Sequence, residues 1–196
     1  MTAKLSLHND PIMAKLLKKH KLQDYYGGNG NHFLDLIEIV VSQQLSVKVA
    51  DVIYARFLTL FTTKTPTPKE ILNVTVDNLR SIGLSRSKAN YVQNIASALD
   101  SGSLVISQIP NLSDEGVKKE LVKIKGLGPW SAEMFLIFSL KRPDIFAVGD
   151  LGLRTAIEKL YGVKRDSLKE IEKLSQSWRP HRSLASRLLW ASLENI

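Results

Sequence analysis

The amino-acid sequence predicts an all-α protein. Three observations carry that expectation. Apolar residues recur at spacings of three and four in nearly every segment, as one buried face of a helix requires. Helix-opening residues precede those segments and glycines follow several of them. No apolar–polar alternation persists for more than a few residues. Leu104-Val105-Ile106 is the one stretch that could be extended, and it is too short and isolated to pair.

About ten helices follow from this pattern. Asp10-Pro11 opens the first, with proline where no amide hydrogen is needed and Ile12, Met13, Leu16 and Leu17 on one face. Tyr25 to Asn31, rich in Gly and Asn, breaks the chain and suggests a lobe boundary. Phe33 to Val41 is almost wholly apolar, so that helix is expected to be buried on most sides. Ser46 is placed to cap the next, with Val49, Val52, Ile53, Phe57 and Leu60 inward. Thr67-Pro68-Lys69-Glu70 has the form of a capping box. Ser85 opens a helix carrying Val92, Ile95, Ala96 and Leu99, and Gly83 and Gly102 read as terminators.

Ser113-Asp114-Glu115 opens a helix expected to run to Ile124, and Pro129 starts its partner, expected to run to about Leu140. Asp150 is placed to cap a helix holding Leu153, Ile157 and Leu160, ended by Gly162. Asp166 is expected to open another. Pro180 separates Trp178 from a last helix ending near Leu193. The expected organisation is a terminal lobe of residues 1–30 with about 143–196, and a central lobe of about 31–142 containing a hairpin at 114–140.

Composition narrows the function. The chain has 196 residues and 44% hydrophobic content, enough for a packed core and too apolar for a disordered tail. There is no cysteine, which removes disulfides, thiol nucleophiles, iron–sulfur clusters and cysteine-based zinc sites. The four histidines, at positions 8, 20, 32 and 181, lack zinc-ligand spacing, so no catalytic metal is expected. No cofactor is implied. The net charge of +8 favours a polyanionic partner. No apolar run has the length of a membrane span, and Met1 to Leu7 is too short in apolar character for a secretory signal. An intracellular monomer is expected, in the cytoplasm or nucleoid of a prokaryote or the nucleus of a eukaryote.

One run stands out: Leu121-Val-Lys-Ile-Lys-Gly-Leu-Gly-Pro-Trp-Ser-Ala-Glu-Met-Phe135, with Asp150 downstream. The Gly126-Leu127-Gly128 turn joins two helical segments and can aim backbone N–H groups at a phosphate, directly or through a bound monovalent cation. Lys118, Lys119, Lys123 and Lys125 add salt-sensitive attraction to a nucleic-acid backbone. Leu79 to Ala89 echoes this unit faintly, either as a duplicated motif or as another helical turn ended by glycine.

The hairpin, its spacing to Asp150, and the tail Trp178-Arg-Pro-His-Arg-Ser183 resemble the helix–hairpin–helix DNA glycosylases. Within them the chain is similar to the compact form of the 3-methyladenine DNA glycosylases, from roughly Phe33 onward. The resemblance implies two helical lobes with the active-site cleft between them, and a partner of double-stranded DNA containing alkylated bases. It implies that Asp150 is the catalytic carboxylate, stabilising positive charge on the deoxyribose and orienting the attacking water. Trp130 stands where bifunctional relatives carry a nucleophilic lysine, which implies base removal without strand cleavage. Its ring suits stacking on a flipped cationic base.

The same resemblance places Met134, His181 and Leu151 around the base pocket, where relatives can carry aromatic residues. It assigns Gly126, Leu127, Gly128, Lys123 and Lys125 to the DNA backbone. It gives Gln44, with Leu45 next, the role of a wedge filling the gap left by the flipped base. A non-catalytic hairpin module that only binds DNA is the competing reading. In it Asp150 is a helix cap and Trp130 a core residue.

Overall fold

The computed structural model describes residues 5–20, 22 and 30–193, and among them it is all-α. The helices are α1 (Leu5–His8), α2 (Pro11–Lys19), α3 (His32–Ser42), α4 (Val47–Leu58), α5 (Pro68–Leu72), α6 (Val76–Ser81), α7 (Arg86–Asp100), α8 (Asp114–Leu121), α9 (Pro129–Met134), α10 (Leu151–Tyr161), α11 (Leu168–Gln176) and α12 (Arg182–Leu193). A 3₁₀ segment spans Ile106–Asn111, and a π-helical turn spans Phe135–Ser139. They group into two compact units: Met1–Gly27 with Leu136–Ile196, and Gly28–Phe135. The division falls at Phe135, where the expected lobe edge was near residue 142. Most of the expected break from Tyr25 lies outside the described residues.

The 28–135 unit is built round α3. Phe33, Leu34, Leu36, Ile37, Ile39, Val40 and Val41 are all buried, and α4, α7 and α9 pack on it. Ala89, Val92, Ile95 and Ala96 of α7 lie in the same core, with α5 and α6 against the outside of α7. The caps that start these helices are local in sequence. Asn31, Thr67, Thr75, Ser85 and Ser113 each accept a hydrogen bond from the amide three residues on. Glu70 closes the capping box by accepting from the Thr67 amide at 2.7 Å.

The other unit packs α12 on α10 and α2. Its centre is Trp178, wholly buried, with the Phe146 and Tyr161 rings each 5.8 Å away. Asp10 ties this centre to α2. Its Oδ1 accepts from the Ile12 and Met13 amides, and its Oδ2 accepts from the Tyr161 hydroxyl at 2.8 Å and Trp178 Nε1 at 2.9 Å. Burial, reinforced by Asp10, pushes the Tyr161 hydroxyl pKa up, so it remains a donor. Asp10→Ala removes a helix cap and strands two donors, a combined cost of about 2–4 kcal/mol. Urea denaturation should show that loss as a lower midpoint, and a loss under about 1 kcal/mol would contradict this role.

Several expectations need correction. Val49 and Val52 face solvent, each 45% exposed; the inward stripe of α4 is Ala50, Ile53 and Phe57. Apolar residues occur all round this helix, so its period fits two phases and only packing against α3 selects one. Leu60, Leu99 and Leu160 are half-buried. Ser46 holds the N-cap position of α4 without a side-chain hydrogen bond. Helix α8 stops at Leu121, and Ser167, not Asp166, precedes α11. The helix from Pro129 widens into a π turn at Phe135, an insertion that leaves no mark in apolar spacing. The Leu79–Ala89 echo is geometric as well as sequential. Gly83 has φ 112° against 115° for Gly126, and Leu84 and Leu127, like Ala89 and Ala132, are buried.

Candidate active site

Asp150 is the N-cap residue of α10. Its Oδ1 accepts from the Leu153 amide at 2.8 Å and from Trp190 Nε1 at 2.8 Å. The first bond is an ordinary cap. The second reaches across from α12 and fixes the plane of the carboxylate. Gly152 makes room for it: a Cβ there would lie 3.1 Å from both Trp190 Cδ1 and Asp150 Oδ1. Phe138 packs against the indole, with ring centroids 5.6 Å apart. Leu151, the first residue of α10, is 59% exposed. His181 precedes α12, is half-buried, and donates its amide to the Trp178 carbonyl at 2.8 Å.

The hairpin lies in the 28–135 unit. The chain leaves α8, turns through Gly126 with φ 115°, and enters α9 at Gly128, whose φ of −95° needs no glycine. Gly126 is the position only glycine fits, because an added Cβ would collide with the Tyr91 side chain of α7. Asn94 donates from α7 to the Lys125 carbonyl at 2.9 Å, and Gln43 Nε2 donates to the Gly126 carbonyl at 2.9 Å. Leu127 is buried beneath the turn. Of the lysines, Lys123 is paired with Glu120 at 2.6 Å and Lys118 with Glu115 at 3.2 Å, so these two charges are partly satisfied by near neighbours in the chain. Lys125 is exposed.

Trp130 is the second residue of α9 and half-buried; Met134, one turn on, is 5% exposed. The wedge candidates lie in the turn between α3 and α4. Gln44 is exposed with φ 57°, and Leu45 is 37% exposed. Residues that sequence reasoning missed are Trp190, Tyr91, Asn94 and Lys88, which act on the turns or the carboxylate from distant parts of the chain, and Gly152, two residues after the carboxylate. Among the described residues no group of His, Asp and Glu could hold a metal ion, and no helix is long and apolar enough to cross a membrane.

The glycine-kinked hairpin between α8 and α9 and the carboxylate at the start of α10 are the two features on which the resemblance to the helix–hairpin–helix DNA-repair proteins rests. The chain belongs to the HhH-GPD superfamily of base excision DNA repair proteins, whose model matches residues 37–181. The solved structure of a Schizosaccharomyces pombe 3-methyladenine DNA glycosylase in complex with abasic DNA superposes with a TM-score of 0.90. It is 30% identical, and the match covers 99% of this chain and 97% of that one. By sequence the chain is 35% identical to the S. pombe DNA-3-methyladenine glycosylase 1 over 159 residues, 80% of this chain and 70% of the relative. It is 31% identical to the YfjP protein of Bacillus subtilis over 166 residues. That match covers 81% of this chain but only 58% of the relative's length.

Proposed function

We propose that the chain is a monofunctional DNA glycosylase that flips alkylated purines, of the 3-methyladenine and 7-methylguanine type, out of duplex DNA and hydrolyses their N-glycosidic bond. The observation that carries this reading is the Asp150 carboxylate, held by two N–H donors on one oxygen. The near full-length likeness to a glycosylase solved on abasic DNA supports it.

The chemistry follows from the leaving group. An alkylated purine is cationic, so breaking its bond to C1′ sends the electron pair onto the base and neutralises it. The positive charge passes to the deoxyribose. Asp150 stabilises that charge and orients a water, whose oxygen adds to C1′ as its proton passes to the carboxylate. The product is an abasic site. Trp130 offers a ring face to the cationic base before it leaves. Amides of the Gly126–Gly128 turn, with Lys125 and Lys123, hold the backbone beside the lesion, and Gln44, flanked by Leu45, fills the vacated stack.

Strand cleavage needs an amine that attacks the sugar and forms an imine. Trp130 supplies none. Incubation with lesion DNA should therefore leave strands intact until alkali or heat is applied, and borohydride should trap no covalent adduct. Efficient trapping, lost in one lysine variant, would overturn the monofunctional assignment. In the same assay methylated purines should leave faster than hypoxanthine, because their charge assists departure; the reverse order would overturn the substrate class.

A further inference from the structure

The turn between α3 and α4 is strained and held by two side chains. Ser42 to Leu45 closes with the Leu45 amide donating to the Ser42 carbonyl at 3.1 Å. Gln43 has φ −48° and ψ 126°, and Gln44 has φ 57°, the pattern of a turn that favours glycine at its third residue. A non-glycine residue in that region is strained and persists only where its surroundings over-determine it. Two side chains do so. Lys88, in the first turn of α7, donates Nζ to the Val41 carbonyl at 2.7 Å and the Gln43 carbonyl at 2.6 Å, placing a cation on the carbonyl end of α3. Gln43 donates Nε2 to the Gly126 carbonyl at 2.9 Å and to Ser131 Oγ at 3.0 Å, on the hairpin. Ser131 itself is buried. Lys88 is half-buried, and desolvation draws its ammonium pKa down.

The geometry points to Lys88 and Gln43 as positioning residues that pre-form the turn presenting Gln44 and lock it to the Gly126 hairpin. Insertion into the base stack and grip on the flanking backbone then belong to one rigid element. The inference rests on the glycosylase reading for what Gln44 does. A wedge on a soft turn would lose part of its insertion energy in ordering itself; a pre-formed turn spends that energy on DNA distortion.

The test uses a duplex with a stable abasic-site analogue and 2-aminopurine opposite it, whose fluorescence reports unstacking without requiring catalysis. At saturating wild-type protein the signal should rise. Lys88→Met and Gln43→Leu should each reduce that rise by at least about half at saturation, while Lys88→Arg, which keeps two donors and the charge, should restore it. Base release should fall about tenfold with the lesion in matched duplex. It should fall less than about threefold with the lesion in a bulge, where unstacking is already done. Thermal melting of each variant separates loss of fold from loss of positioning, and the two variants remove different contacts of the turn. A full fluorescence rise in both variants, or equal rate losses on matched and bulged DNA, would overturn the proposal. So would a wild-type protein that gives no rise. A wild-type rise without any base release would instead sink the glycosylase reading and leave the clamp standing.

Discussion

Asp150→Asn is expected to bind lesion DNA as the wild type does and to lose base release by roughly two to three orders of magnitude in single turnover. Asparagine keeps an oxygen that accepts from the Leu153 amide and from Trp190 Nε1, so the start of α10 and the indole are retained. What it removes is the negative charge that the developing sugar cation needs. The comparison is therefore clean: the cap survives and the electrostatics do not. If the variant bound lesion duplex normally and released base at a near wild-type rate, Asp150 would be a cap and nothing more. Trp190→Phe should act in the same direction with a smaller loss, because it frees the carboxylate to rotate without removing it.

Gly126→Ala should be the most damaging single change in the hairpin. The position has φ 115°, and an alanine Cβ there would lie within 2.7 Å of Tyr91 Cδ1. Backbone strain and the forced displacement of Tyr91 together cost roughly 2–6 kcal/mol. Gly128→Ala, two residues on, has φ −95° and nothing within 4 Å of the added carbon, so its stability cost should stay below about 1 kcal/mol. Urea midpoints of the two variants, measured side by side, check this. Equal tolerance would mean that the hairpin rearranges freely, and the account of how α7 anchors it would be wrong.

The contrast between those glycines shows where sequence reasoning reaches and where it stops. Features set by residues three or four apart were legible. Asp10, Thr67, Ser85, Ser113 and Asp150 cap helices as their spacing indicates, and Gly162 ends α10 with φ 71°. The Gly-Leu-Gly turn was visible as a turn, but which glycine is obligatory depends on Tyr91, far upstream in the chain. The same holds at the carboxylate. Trp190 reads as one more apolar residue of the last helix, and only the fold brings its Nε1 to Asp150. Lys88 reads as a surface lysine, yet it closes the end of α3. Helix α4 carries valines on more than one side, so its burial was decided by α3 and not by its own pattern.

The measurement that tests the central claim most directly is chromatographic detection of free base from methylated duplex DNA incubated with the wild-type chain and with Asp150→Asn. The account predicts release of 3-methyladenine and 7-methylguanine by the wild type, with abasic sites formed in equal number and strands unbroken. It predicts almost none by the variant at protein concentrations that saturate binding. Tight binding by both proteins with no base released by either would contradict it, and would leave a hairpin protein that grips DNA without acting on it.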